Sequence, residues 1–192
     1  MDSGGSDNRH DADDEVRLVA RAKRDRDAFA LLYLRYFDRV HAYCCRRLGD
    51  ADDAADATGT IFARALGSIA SCRDDSFRPW LFTIAHNVLI DAYRTRRPVE
   101  SLDAAGHIRT LDPSPEDAAL ARERSRAVSA LLGQLSPEQR QVLELRLAGL
   151  TSKEIGIVLG KHPNAVDQAQ FRAVQRLRTL SGAPRALLEG LR

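Results

Sequence analysis

The 192-residue sequence has few of the residues on which several protein classes depend. Its three cysteines are Cys44, Cys45 and Cys72; two are adjacent and none lies in a C-x-x-C pair, so we expect neither a disulfide scaffold nor a structural zinc site. No apolar run approaches the roughly 18 residues that a bilayer requires, and the polar, acidic residues 1–14 do not resemble a secretory signal. We therefore expect a cytoplasmic protein without membrane insertion.

Recognisable catalytic patterns are also absent from the sequence. None of the five histidines lies in an H-E-x-x-H pattern, and there is neither a nucleophile elbow nor a glycine-rich phosphate loop. His41 lies three residues before Cys44 on a predicted helix and could supply half of a metal site. Small apolar side chains beside an amphipathic histidine are the simpler interpretation. We predict no catalytic residue, no metal, no cofactor and no enzyme.

The composition that remains favours helices. Only 6% of the residues are aromatic, whereas Ala, Leu and Arg, which lose little on entering a helix, recur throughout. No segment has the long alternation of β-branched and aromatic residues that is typical of strands. We predict an all-α protein with two small helical domains joined by a flexible linker, the C-terminal one a helix-turn-helix.

The predicted organisation has four parts. Residues 1–23 form an N-terminal extension that includes a short amphipathic helix, and residues 24–97 form a first domain whose apolar positions recur at intervals of three and four. The last helix of this domain stops before Pro98. Residues 98–125, acidic and interrupted by prolines and a glycine, form a linker and the start of the next helix. Residues 126–192 form the second domain.

The second domain contains a helix-turn-helix pattern. Helices are predicted to begin after Ser136, at Ser152 and at Pro163, and Gly160 supplies a tight turn before the last one. Gly156 supports this geometry, because closely crossing helices need a residue without bulk there. A short helix, a glycine turn and a longer helix place a recognition helix in the major groove of DNA, although a generic helical hairpin has a similar pattern.

Charge and polarity in the second domain point to DNA. Residues 126–192 carry 10 basic and 5 acidic side chains, a balance that attracts a phosphate backbone, although a solvated helix face looks similar. Asn and Gln side chains can read adenine edges, and Lys and Arg can hold phosphates. The predicted helix-turn-helix contacts to DNA are Lys161, His162, Asn164, Ala165, Gln168 and Arg172.

Asp167 stands among these candidates with the opposite charge. A carboxylate there repels phosphate unless it accepts a hydrogen bond from a cytosine amino group or pairs with a neighbouring basic residue. A solvated charge near a helix N-terminus is the alternative. The sequence leaves these three interpretations open.

Two blocks of sequence resemble one family. The segment FRPWLFTIAHN at residues 77–87, followed by Asp91 and Arg94, is similar to the F-R-x-W-L-x-x-I-A-R-N…D…R segment of bacterial extracytoplasmic-function (ECF) sigma factors. LSPEQRQVL at residues 135–143 and TSKEIG at residues 151–156 resemble their C-terminal helix-turn-helix domain. Both blocks occur in the family's order, with a linker in the family's place.

The resemblance implies a protein that binds the RNA polymerase core and directs it to promoter DNA. The first domain would dock on the polymerase clamp and open the minus-ten element, and the second would read the minus-thirty-five element. The residues implied to contact minus-ten DNA are Trp80, Asn87, Arg94, Arg96 and Arg97. The implied polymerase contacts, on a helix that resembles the family's preceding helix, are Asp53, Asp56 and Phe62. An anti-sigma factor is a further implied partner.

The aromatic side chains around Trp80 have two interpretations. Trp80, with Phe77 and Phe82, could form a stacking surface for an unpaired base. Plain core packing is the alternative for Trp80, in which case Asn87 is the better candidate for a polar base contact.

Some positions depart from the family pattern. Gly59 and Thr60 stand where a polar pair such as Gln-Glu is usual, His86 replaces an arginine, and Asp167 replaces a lysine or arginine. Two alternatives stay open, and Gly59, Thr60 and Asp167 motivate the first of them. One is a sigma-like adaptor that binds a protein partner, and the other is an ordinary helix-turn-helix repressor or activator; neither supports initiation.

Overall fold

The computed structural model describes residues 4–95, 128 and 130–181, and every regular element within them is helical. The predicted all-α fold class is confirmed. None of these helices has an apolar stretch long enough to cross a lipid bilayer. The linker predicted over 98–125 lies outside the described residues. The main helices are α1 (Gly4–Ala22), α2 (Arg26–Leu48), α3 (Ala51–Ser68), α4 (Phe77–Thr95), α5 (Pro137–Leu147), α6 (Ser152–Leu159) and α7 (Pro163–Ser181).

Helix α2 is the central element of the first domain. It begins after Asp25, whose side chain accepts a hydrogen bond from the backbone N–H of Asp27, and it ends at Gly49, which has a left-handed φ of 76°. Its buried side chains follow the helical period and pack against those of α3 and α4. The largest fully buried ones in this domain are Leu32, Tyr36, Tyr43, Ile61, Phe77, Leu81, Phe82 and Leu89.

Helix α1 adds its last turns to the same core. Leu18, Val19 and Ala22 are buried in the apolar cluster that contains the stripe of α2. The last turns of α1, within the segment expected as an extension, therefore contribute to the packing of the first domain. Two short 3-10 turns, Ile69–Ser71 and Asp74–Ser76, join α3 to α4.

Side-chain caps set the helix starts of the second domain. Ser136 and Gln139 form a capping box at the start of α5, and Thr151 and Glu154 form one at the start of α6. The end of α7 packs on the chain that leads into α5 through a separate apolar cluster. Its buried members are Leu132, Leu135, Leu143, Ala173 and Leu177.

The two domains pack against each other. Helix α6 contacts α4, and α5 contacts α2. One cluster of buried apolar side chains continues from the first domain into the second, where its members are Val142, Leu145, Ala148, Leu150, Ile155, Val158, Val166 and Ala169. The sequence pattern predicts two bundles on a tether but not this contact, because periodicity identifies a buried helix face and not the element that covers it.

Candidate nucleic-acid interface

A close backbone approach forms the turn of the helix-turn-helix. The backbone N–H of Lys161 donates to the carbonyl oxygen of Gly156 at 2.8 Å, and Gly160 has a left-handed φ of 64°. A Cβ atom on Gly156 would lie 2.6 Å from the carbonyl oxygen of Lys161. The returning turn, more than a crossing helix, is therefore what requires glycine at this position.

Helix α7 exposes the predicted DNA-reading side chains. Asn164, Ala165 and Gln168 are exposed, and Nη2 of Arg172 donates to Oε1 of Gln168 at 3.3 Å, one helical turn away. The Nδ1 atom of His162 accepts a hydrogen bond from the backbone N–H of Asn164 at 3.3 Å, so this ring caps the start of the helix. The structure thus brings these five candidates together at the N-terminal part of one helix.

Lys161, the remaining candidate, is engaged within the protein. Its Nζ lies 2.6 Å from Oε1 of Glu138, with both side chains partly exposed, and this ammonium lowers the pKa of Glu138. A phosphate would compete with Glu138 for Lys161. Phe171 was not among the predicted contacts, yet its side chain is 65% exposed. Its distance of three residues from Gln168 is the sequence signal that could have found it.

The carboxylate of Asp167 is bound by its own domain. The hydroxyl of Ser152, at the start of α6, donates to Oδ1 of Asp167. That hydroxyl also accepts a hydrogen bond from Nη2 of Arg146 at 2.5 Å. One of the interpretations that the sequence leaves open pairs Asp167 with a neighbouring basic residue; the described contacts pair it directly with the hydroxyl of Ser152, which links it to the basic Arg146.

The aromatic side chains at the start of α4 differ in exposure. Phe77 and Phe82 are buried in the core, so neither offers a face to an unpaired base. Trp80 is half-buried against the same core, with its ring centroid 5.7 Å from that of Phe77. Neither phenylalanine can therefore stack on an unpaired base, and Trp80 is the remaining candidate for that contact.

The polar candidates of the first domain lie further along α4. Asn87 and Arg94 are both exposed. Arg96 and Arg97 lie outside the described residues. The structure therefore places two of these four side chains on one helix, within reach of solvent.

The implied polymerase contacts lie on α3 and divide into two environments. Asp56 is exposed and Asp53 half-buried, and both line a cavity of about 210 Å³ between α3 and α4. Phe62 is 5% exposed, and its ring centroid lies 4.7 Å from that of Tyr33. Phe62 therefore packs α3 against α2 and offers little surface to a partner. Gly59 is exposed, with no atom near the position of a Cβ.

A buried ion-pair cluster joins the two domains. Glu144 on α5 is fully buried; its Oε2 lies 3.1 Å from Nη1 of Arg47 on α2, and its Oε1 lies 2.7 Å from Nε of Arg140. Nη2 of Arg140 donates to the carbonyl oxygen of Arg46 at 3.0 Å. Arg46, Arg47, Arg140 and Glu144 are called the Glu144 cluster below. Sequence reasoning missed it, although a glutamate within the apolar run of α5 is a signal that a buried partner exists.

The charges of the Glu144 cluster affect neighbouring groups. Burial lowers the pKa of the Arg46 guanidinium, and Glu144 opposes that shift. His86, buried on α4, has its Nδ1 3.5 Å from the hydroxyl of Tyr43. Burial lowers the pKa of His86, and the positive charge of Arg47 lowers it further. The neutral form of His86 is therefore the one that suits this interface.

The cysteines have the character of core residues. Burial raises the pKa of Cys44 and of Cys72 to about 11, which keeps both thiols protonated near neutral pH. Nε2 of His41 lies 3.5 Å from Sγ of Cys45, and its Nδ1 lies 3.3 Å from the hydroxyl of Thr58. Across residues 4–95, 128 and 130–181, no group of three potential metal ligands occurs.

The fold and this surface define a two-domain helical protein with a helix-turn-helix. The family model for sigma-70 region 2 matches residues 32–99, and the model for sigma-70 region 4 matches residues 125–177. The chain is 35% identical to the ECF RNA polymerase sigma factor BldN of Streptomyces coelicolor, over 86% of this chain and 65% of BldN. It is 32% identical to the ECF RNA polymerase sigma factor SigW of Bacillus subtilis, over 84% of this chain and 93% of SigW.

A solved structure has the same fold. CnrH in complex with the cytosolic domain of CnrY matches with a TM-score of 0.67 and 28% identity, over 86% of this chain and 96% of that one. The RNA polymerase sigma factor CnrH of Cupriavidus metallidurans is 30% identical in sequence, over 88% of this chain and 95% of CnrH. The chain belongs to the sigma-70 family, among its ECF RNA polymerase sigma factors.

Proposed function

We propose that this chain binds the RNA polymerase core, directs it to specific promoters and starts transcription, as an initiation factor that is not itself an enzyme. The observation that carries the proposal is the pair of matched regions, at 32–99 and 125–177, in one chain and in the family's order. Relatives matched over nine-tenths of their length, such as SigW, are RNA polymerase sigma factors. Such a factor works where the polymerase is, in the cytoplasm.

In this proposal the second domain reads the minus-thirty-five element. The exposed start of α7 enters the major groove, where Asn164 and Gln168 can pair with adenine edges and Arg172 can hold a phosphate or a guanine. Lys161 contacts the phosphate backbone once it leaves Glu138, and His162 and Ala165 border the same surface. The basic composition of residues 126–192 supports an electrostatic attraction to the duplex.

The first domain, in the same proposal, opens the minus-ten element and docks on the clamp. Exposed Asn87 supplies a polar contact to an unpaired base, half-buried Trp80 a stacking edge, and exposed Arg94 a phosphate contact. Arg96 and Arg97 extend this basic series along the sequence. The proposed clamp contacts are Asp53 and Asp56, with Phe62 holding their helix in place from within the core.

We further propose an anti-sigma factor as a partner. CnrH, which matches this chain in fold and in sequence, is solved in complex with the cytosolic domain of CnrY. This chain has exposed large apolar side chains on α2 that a helical partner could cover, with Leu34 70% and Leu31 51% exposed.

The proposal is tested by transcription in vitro with a bacterial core RNA polymerase. A pool of linear templates with randomised upstream sequence is transcribed with and without the purified chain, and the transcript starts are mapped. We expect starts that depend on the chain and share two sequence elements upstream. Arg94→Ala and Asn164→Ala should each reduce these transcripts. Arg73→Ala changes an exposed arginine outside both proposed DNA-contacting sets and is the matched control.

Association with the core separates the alternatives. If the chain fails to co-elute with core polymerase at low salt but still binds duplex DNA, it is an ordinary helix-turn-helix regulator. If it co-elutes with the core but gives no chain-dependent start, it is a sigma-like adaptor. Either result rejects the initiation function.

A further inference from the structure

One guanidinium ties together the helices of the helix-turn-helix domain. Arg146, half-buried near the end of α5, uses all three of its nitrogens. Nη1 donates to the carbonyl oxygen of Leu150 at 2.9 Å, and Nε donates to Oε1 of Gln170 on α7 at 2.8 Å. Nη2 donates to the hydroxyl of Ser152, the first residue of α6, at 2.5 Å. A single side chain therefore contacts α6, α7 and the loop before α6.

Asp167 completes this network from the recognition helix. Ser152 accepts from Arg146 and donates its own proton to Oδ1 of Asp167. Burial lowers the pKa of Arg146, and the carboxylates of Asp167 and Glu154 oppose that shift. The opposite charges of Asp167 and Arg146 therefore attract each other, and a charged group at each end strengthens the hydrogen bonds that pass through Ser152.

We propose that Asp167 is a positioning residue of the recognition helix: through Ser152 and Arg146 it fixes the rotation of α7 on α6, and so the aim of Asn164 and Gln168 at base edges. The proposal rests on the DNA-reading function proposed for α7. A lysine or arginine at position 167 could not accept from Ser152 and would repel Arg146. The carboxylate thus has a role inside the domain, at the position where the family usually has a basic residue.

Two other roles for Asp167 predict different behaviour. As a plain surface charge it would repel phosphate, and its removal would tighten binding to any duplex. As a direct reader it would accept from the amino group of a cytosine, and its removal would relax the preference at one base pair. A positioning residue differs from both, because its removal loosens every contact made by α7 while the loss of a negative charge favours binding to DNA in general.

The experiment measures binding of the full chain to two labelled duplexes by fluorescence anisotropy. One carries the minus-thirty-five element selected by the transcription experiment, and the other has a shuffled sequence. The variants are Asp167→Asn, Ser152→Ala, their double mutant and Ser152→Thr, which keeps a hydroxyl. Glu138→Gln is the charge control, since it removes an exposed carboxylate of the same domain and frees Lys161, a proposed phosphate contact that reads no base.

We expect Asp167→Asn, which keeps an acceptor oxygen for Ser152 but removes the charge, to lower the ratio of specific to shuffled affinity about threefold to tenfold, the size expected when a charge-assisted hydrogen bond becomes a neutral one. Ser152→Ala removes the hydroxyl that contacts both Arg146 and Asp167, so it should lower the ratio in the same direction, and the double mutant should lower it no further than Ser152→Ala alone. Ser152→Thr should retain the wild-type ratio, and Glu138→Gln should strengthen binding to both duplexes alike.

Two outcomes would overturn the proposal. In the first, Asp167→Asn strengthens binding to both duplexes as Glu138→Gln does, and Ser152→Ala leaves both affinities unchanged. Asp167 is then a repulsive surface charge. In the second, Asp167→Asn loses discrimination at one base pair only, and Ser152→Ala leaves the preference unchanged. Asp167 is then a direct reader of that base pair. Thermal melting of each variant keeps the result independent of the proposed function. Even if the chain binds no duplex, the double mutant would reject the network if its loss in Tm equalled the sum of the losses of Asp167→Asn and Ser152→Ala.

Discussion

Oε2 of Glu144 lies 3.1 Å from Nη1 of Arg47, and this ion pair joins the second domain to the first. The Glu144 side chain is fully buried, and that of Arg47 is 11% exposed. A carboxylate and a guanidinium withdrawn from water in this way stabilise the protein only while both are present, since removing one leaves the charge of the other buried with less compensation.

Glu144→Gln is therefore expected to be strongly destabilising. It removes the charge that faces Arg47 and Arg140 and keeps nearly the same shape, so the free energy of unfolding should fall by about 3 kcal/mol or more. Urea denaturation followed by circular dichroism measures the change. Glu138→Gln removes an exposed carboxylate from the same helix and should cost less than about 1 kcal/mol. Equal effects of the two substitutions would show that burial of Glu144 is not what matters.

Gly156→Ala should destabilise the helix-turn-helix. The new Cβ would approach the carbonyl oxygen of Lys161 to 2.6 Å, so the turn has to move, at a cost of about 1 to 3 kcal/mol. We expect a lower Tm together with weaker DNA binding, because the same turn leads into α7. An unchanged Tm would mean that the turn relaxes without cost.

Gly59→Ala is the matched opposite case. Gly59 lies in the interior of α3, is exposed, and has no atom within 4 Å of the position of a Cβ. Alanine should stabilise the helix by about 0.5 to 1 kcal/mol, because it loses less conformational freedom on folding. The midpoint of urea denaturation should rise. A lower midpoint would indicate a contact that needs the bare backbone.

Stability should decrease as the pH falls from 7.5 to 5.5. Burial lowers the pKa of both His86 and His41 below 6.5, so the unfolded chain takes up protons in this range that the folded chain does not. Unfolding is therefore favoured as the pH drops through and below 6.5, and the lost stability returns above it. Urea denaturation at several pH values measures the slope.

His86→Gln and His41→Gln should each make this pH profile flatter, and the double variant flatter still. Glutamine keeps a polar side chain without a proton to gain. A profile that stays as steep in the double variant would assign the acid sensitivity to other groups.

Local chemistry made much of the fold predictable. Predicted starts at Ser136 and Pro163 match α5 and α7, because capping serines and first-turn prolines act within a few residues. Helix α2 has local signals of the same kind, with the capping side chain of Asp25 before it and Gly49 after it. These signals need no knowledge of the rest of the chain.

Contacts between distant residues were not predictable in this way. Ser152 and Asp167 lie on different helices, and their hydrogen bond depends on how α6 crosses α7. From the sequence alone, Phe62 could either bind a partner or pack in the core. The contact between its ring and that of Tyr33 decides for the core. The charge of Asp167 could be read from the sequence, but not the groups that neutralise it.

The apolar cluster that runs from α2 and α4 into α5 and α6 is shared by both domains, so we expect them to unfold as a single cooperative unit. Heat should melt the helix-turn-helix and the first domain in one transition, with the calorimetric and van't Hoff enthalpies equal. Any partner that holds the domains apart has to compensate for exposing that shared surface to water. The affinity of such a partner therefore includes the work of separating the domains, and a weaker interface in this chain would make the same partner bind more tightly.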